Sequence, residues 1–153
     1  MIPIEDAIST GDWFHCDIFL SARFRIKIIS FKKLNLLEVD DPEKIGVIEN
    51  NKIIWIMDVE IINLSKGPIS PVEMYGQLYL VNQKGIKFRV YKDNHLCYNS
   101  EFSKNRKLSR FFGSLKFLNP KIKAIGAILF QLPEDDYDAK YSISPRGGNI
   151  KKV

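Results

Sequence analysis

The chain has 153 residues, 45% hydrophobic and 27% charged, an ordinary balance for one globular domain that excludes a disordered or collagen-like chain. No apolar run approaches the ~20 residues of a membrane-spanning helix, and "MIPIEDAISTGDW" lacks the basic and apolar regions of a signal peptide, although a leader removed ahead of Met1 would leave the same start. The net charge of +5 is uneven: from Lys84 to Lys123 eleven Lys or Arg face only Asp93 and Glu101, a local net of +9 that leaves the rest of the chain at −4 and predicts an electrically two-sided molecule.

Residues 1–21 read as an N-terminal segment with an edge strand. Within it "WFHCDIF" is apolar, so His15 is expected to pack as a core or edge histidine rather than to act as a ligand or base. "FRIKIISF" alternates Phe24, Ile26 and Ile28 with Arg25 and Lys27, the pattern of a half-buried strand, and residues 32–51 read as a loop with weak strand content. "NKIIWIMDVEIINLS" is the strongest strand, with Ile53, Trp55, Met57, Val59 and Ile61 on one face and Asp58 and Glu60 on the other. "KGPISP" then turns the chain, since Pro68 and Pro71 have no amide donor.

Met74, Gly76, Leu78 and Leu80 before "NQKG", with Ile86, Phe88 and Val90 after it, predict a hairpin closed by a type I turn and a left-handed Gly85. Residues 92–118 have no sustained period and read as a long loop, with one helical turn near "SRFFGSL". "NPKIKAIGAILFQLPED" fits both a helical and an alternate-residue apolar pattern. Pro120 and Pro133 bracket it, and Gly126 would cost a helix about 1 kcal/mol, so a central strand burying Ile122, Ala124, Ile128, Phe130 and Leu132 is expected. "AKYSIS" is a final strand with Ala139, Tyr141 and Ile143 on one face, and residues 145–153 read as a flexible basic tail. Strands between Pro and Gly corners, with no amphipathic helix of ten residues, predict an all-β antiparallel sandwich of about seven strands.

The order of "VEIINLSKGPIS", "NQKGIKF", "LNPKIKAIGAILFQLPED" and a short closing strand resembles a domain-of-unknown-function family of immunoglobulin-like modules found in bacterial and archaeal lipoproteins and secreted proteins. Asn63, Lys84 and Gly85 with Phe88, Asn119 and Pro120, Gly126, and Phe130 with Pro133 carry the likeness over residues 22–144. Lys121 departs from it, standing where the family usually has Gly. The resemblance implies an immunoglobulin-like sandwich outside the cytoplasm, often behind a lipid anchor, and implies no activity.

For chemistry, Cys16 and Cys97 allow either one disulfide closing a long loop or two buried thiols. "HLC" sets His95 near Cys97, but no third orienting group accompanies them and no catalytic residue is assigned. Phosphate-cradling glycine motifs are missing, and the carboxylates of "PEDDYD" (Glu134, Asp135, Asp136, Asp138) lack a calcium-loop pattern and read as a solvated turn, so no metal or cofactor is expected. The strongest surface signal is "FSKNRKLSRFFGSLKF", where Lys104, Arg106, Lys107, Arg110 and Lys116 interleave with Phe102, Phe111, Phe112 and Phe117. The reading favoured for this segment is that the phenylalanines pin a long loop onto the sandwich while the cations point into solvent. The expected function is a non-enzymatic, envelope-associated or secreted module that binds a protein or cell-surface partner. The rival is a β-domain that binds nucleic acid or an anionic membrane through residues 102–117.

Overall fold

The computed structural model describes residues 1–18, 22–34, 51–70, 73–74, 76–90, 117–136 and 140–153. Ten elements follow in order: β1 (Ile2–Pro3), α1 (Ile4–Thr10), β2 (Trp13–Ile18), β3 (Ala22–Lys33), β4 (Lys52–Asn63), β5 (Leu78–Val81), β6 (Lys87–Arg89), β7 (Lys123–Pro133), β8 (Ser142–Pro145) and β9 (Asn149–Lys152). They form the predicted all-β sandwich: a four-stranded sheet in the order β1-β8-β5-β6 and a five-stranded sheet in the order β7-β4-β3-β2-β9, with antiparallel pairing throughout the described strands. An isolated antiparallel bridge between Val90 and Phe130 links the edge of the smaller sheet to the edge of the larger one.

Alternation supplies the core. Phe14, Cys16 and Ile18 on β2, Phe24, Ile26 and Ile28 on β3, Met57, Val59 and Ile61 on β4, and Ile128, Phe130 and Leu132 on β7 all face inward and meet Leu78, Leu80 and Ile143 of the smaller sheet. At one end of the sandwich Phe31 stacks on Trp55 at 4.8 Å and meets Phe130 and Tyr141 edge-on, and Phe88 adds a further edge contact to Tyr141. The Tyr141 hydroxyl donates to Asp136 at 2.8 Å; burial first, and then that carboxylate, raise its pKa above the usual phenol value.

Several expectations need correction. The stretch 145–153 is not a frayed tail. Gly147 and Gly148 adopt left-handed φ values of 70° and 73°, the chain reverses, and β9 pairs along β2. β2 is consequently an interior strand of the sheet, not an edge, and the boundary drawn at residue 22 falls inside one β2–β3 hairpin. α1 was not foreseen, because seven residues burying only Ile4 and Ala7 are too short to show a period; Gly11 at φ 66° ends it. β7 is the edge strand of its sheet rather than a central one, and Ile122 is exposed rather than buried, since the strand begins one residue later. β7 also buries Ala127 and Leu129 on its outward face, so it carries apolar side chains on both faces. Met74 is buried, but it lies before a turn closed by Gln77 N–H donating to its carbonyl, and Ile86 is exposed. Gly85 does take the predicted left-handed conformation, with Asn82 Oδ1 accepting from the amides of Lys84 and Ile86.

Candidate functional site

Of the residues that the sequence singles out, Lys104, Arg106, Lys107, Arg110, Lys116, His95 and Cys97 lie outside the described residues, as does the expected helical turn near "SRFFGSL". Phe117, the one described member of the basic-aromatic segment, is 66% exposed and therefore does not pin that segment to the sandwich. Cys16 is a free, buried thiol whose pKa is pushed up to about 12 by burial. Its side chain faces the core, away from His15, so these two neighbours in sequence do not form a reactive pair.

What the structure does bring together is a cationic row. The inward residues of β2 and β3 force their alternates outward, so Trp13, His15 and Asp17 share the outer face with Lys27, Arg25 and Arg23. Register then aligns Lys151 of β9, His15 of β2, Arg25 of β3, Ile62 of β4 and Lys123 of β7 as one line across all five strands. At strand spacings of about 4.8 Å the line is about 19 Å long. His15 is half-buried between two cations on the outer face of an interior strand, neither the core nor the edge histidine expected.

The flanking rows hold Asn149, Asp17 and Arg23 on one side and Trp13, Lys27, Glu60 and Ile125 on the other. Arg23 pairs with Asp17 at 3.4 Å and Lys123 reaches Glu60 at 3.9 Å, but among the described residues no carboxylate pairs with Arg25 or Lys151. Five cations therefore stand beside two carboxylates on this half of the sheet. Within the row His15 stands between Lys151 and Arg25, and Ile62 between Arg25 and Lys123, so the cations are in line but are not directly opposite one another. The other half of the same outer face is different in kind: Ile54, Ile56, Ala127 and Leu129 are buried there.

The row ends in a cleft of about 430 Å³ at the start of β7, lined by Phe117, Leu118, Asn119, Ile122, Lys123, Ala124 and Ile125. The turn beneath it is held firmly. Asn63, fully buried, donates from Nδ2 to the carbonyls of Leu118 at 2.8 Å and Gly67 at 3.0 Å, accepts at Oδ1 from the Ser65 amide at 2.8 Å, and its own carbonyl accepts from Lys121 N–H at 2.7 Å. Ile122 N–H closes the turn on Asn119, with Pro120 second and Lys121 third at φ 64°, the left-handed position of a type II turn.

Charge counting along the chain missed the row for a physical reason. Arg23, Arg25, Lys27 and Lys151 lie outside residues 84–123, in the part of the chain whose overall sum is −4, and only strand register gathers them onto one face. The usable signal was the alternation of Arg25 and Lys27 with isoleucines, together with the "NIKK" close of the chain. The smaller sheet presents a second basic spot, where Lys87 and Arg89 lie 5.8 and 6.0 Å from the Tyr79 ring centroid. Among the described residues no three His, Cys, Asp or Glu are grouped to hold a metal ion, and no helix is long and apolar enough to cross a membrane.

No family model and no curated protein matches the chain. Among solved structures the fold is similar to a conserved hypothetical protein from Bacillus anthracis, with a TM-score of 0.52 and 12% identity over 93% of this chain and 97% of that one. A provisionally named lipoprotein from Bacillus subtilis superposes with a TM-score of 0.43 and 12% identity over 87% of this chain and 37% of that one. A functionally unknown protein from Listeria monocytogenes gives 0.42 and 13% over 97% and 94%. At these identities the first likeness extends to the fold alone.

Proposed function

We propose that this protein is a non-enzymatic binding module that works outside the cytoplasm and meets its partner with the open, cationic half of the five-stranded sheet. The observation that carries this reading is the Lys151–His15–Arg25–Ile62–Lys123 row: three cations, spaced by His15 and Ile62, are aligned across five strands, two of them have no described carboxylate partner, and a packed sheet holds them in place. A row of this kind fits an acidic protein or an anionic surface through charge complementarity. The extracytoplasmic, immunoglobulin-like assignment rests on the ordered segments from Asn63 to Pro133 that resemble that family.

Retention on immobilised polyglutamate over a salt gradient tests the reading. The wild-type protein should be retained and should elute earlier when Arg25→Gln and Lys151→Gln are combined. Equal elution of the two proteins would count against the row as the binding face. Nucleic-acid binding is the competing outcome, and a single-stranded oligonucleotide bound far more tightly than polyglutamate, with stacking-dependent fluorescence change, would favour it.

A further inference from the structure

Resting on the reading of the cationic half-sheet as a binding face, we propose that its partner is the surface of an anionic lipid bilayer, with the tip formed by Phe117 and Ile122 entering the headgroup layer. These two side chains are 66% and 53% exposed, line the same cleft, and are among the few large hydrophobic side chains that the described surface leaves open. Lys121 and Lys123 flank Ile122 in sequence, and both are exposed. From Lys123 the row continues through Arg25 to Lys151.

Apolar side chains ringed by amines on flexible stems are the composition of an interfacial anchor. The hydrocarbon enters the acyl boundary while the ammonium groups stay at headgroup level. The identity of the cations separates lipid from protein. Lysine is depleted in protein–protein interfaces, because its compact, strongly hydrated charge is costly to strip of water, whereas a headgroup layer leaves it wet. Around the tip the cations are Lys121 and Lys123, and the far end of the row is Lys151. The frame beneath is stiff, since Asn63 locks both the Leu118 carbonyl and the Lys121 amide, so little ordering is required on contact.

Co-sedimentation of the full chain with vesicles of phosphatidylcholine containing 30% phosphatidylglycerol, against pure phosphatidylcholine, tests the proposal, with polyglutamate retention measured in parallel. Binding should require the anionic lipid and should weaken with salt. Phe117→Ser with Ile122→Ser should lower vesicle affinity at least tenfold and leave polyglutamate retention unchanged. Lys121→Gly, which relaxes its turn and so cannot act by unfolding, should cost roughly fivefold, as should Lys151→Gln; Lys84→Gln, on the opposite sheet, should change nothing. Polyglutamate retention without vesicle binding would overturn the lipid assignment and leave the binding face standing. Loss of both would overturn both. Vesicle binding that is indifferent to the Phe117 and Ile122 substitutions would overturn the tip.

Discussion

Asn63 Nδ2 lies 2.8 Å from the carbonyl oxygen of Leu118, a bond that joins residues 55 positions apart and fixes the start of β7 to the end of β4. The same carbonyl also accepts from the Ile69 amide at 3.1 Å, so this one oxygen holds the 63–70 corner against the entry to the cleft. An amide side chain meets every demand at this buried point, with two donors for two carbonyls and one acceptor for an amide N–H.

Replacing that amide should therefore be costly. Asn63→Ala takes the side-chain partner from the Gly67 carbonyl and the Ser65 amide, leaves the Leu118 carbonyl with the Ile69 amide alone, and should destabilise the protein by about 2–4 kcal/mol. Asn63→Asp should cost more, because it turns a carboxylate toward two carbonyl oxygens in a buried site. Urea midpoints at constant slope would measure both. A loss below that of an exposed surface substitution would mean that Asn63 is not the clamp.

Lys121 gives the opposite sign. At φ 64° a side chain with a Cβ is strained where glycine is not, so Lys121→Gly should raise stability by about 0.5–1 kcal/mol, and Lys121→Val should lower it. Thermal melts of the three proteins would rank them Gly, Lys, Val.

Gly148 permits β9. A Cβ built there would run into the carbonyl oxygen of Asp17, and the residue sits at φ 73°. Gly148→Ala should release β9 from β2, which hydrogen exchange would report as lost protection at the β2 amides that pair with it, while β3 and β4 stay protected. The same substitution should weaken polyglutamate retention, because it removes Lys151 from the row.

Cys16 should be silent in the folded protein. Burial holds its thiol protonated up to about pH 12, so iodoacetamide at pH 8 should leave it unmodified until the protein is unfolded, and modification should then need no reductant. The folded-state pKa is above the unfolded one, so the contribution to stability is full below pH 9 and is lost as pH rises from 9 toward 12, by up to about 1.4 kcal/mol per unit. Cys16→Ala should lack this alkaline loss.

The fold was legible where alternation is strong. β3, β4 and β7 announce themselves by apolar residues at every second position, and Gly85 announces its turn. β9 was not legible, because Asn149 to Lys152 hold one apolar residue and follow two glycines, and what makes them a strand is a free neighbour edge rather than propensity. Two-face burial of β7 was hidden because Leu129 fits the alternative helical pattern and Ala127 belongs to neither pattern. Of the site, the exposed aromatic end at Phe117 was visible in the sequence. The row was not, because its members come from five strands and only register brings them into line.

Arg25 stands at the centre of the row proposed to bind. Arg25→Glu tests that proposal, with thermal stability and polyglutamate retention measured on one preparation. Arg25 is exposed and faces His15 and Ile62, so a carboxylate there should leave stability within about 0.5 kcal/mol while retention falls sharply. Unchanged retention at unchanged stability would contradict the row as the binding face.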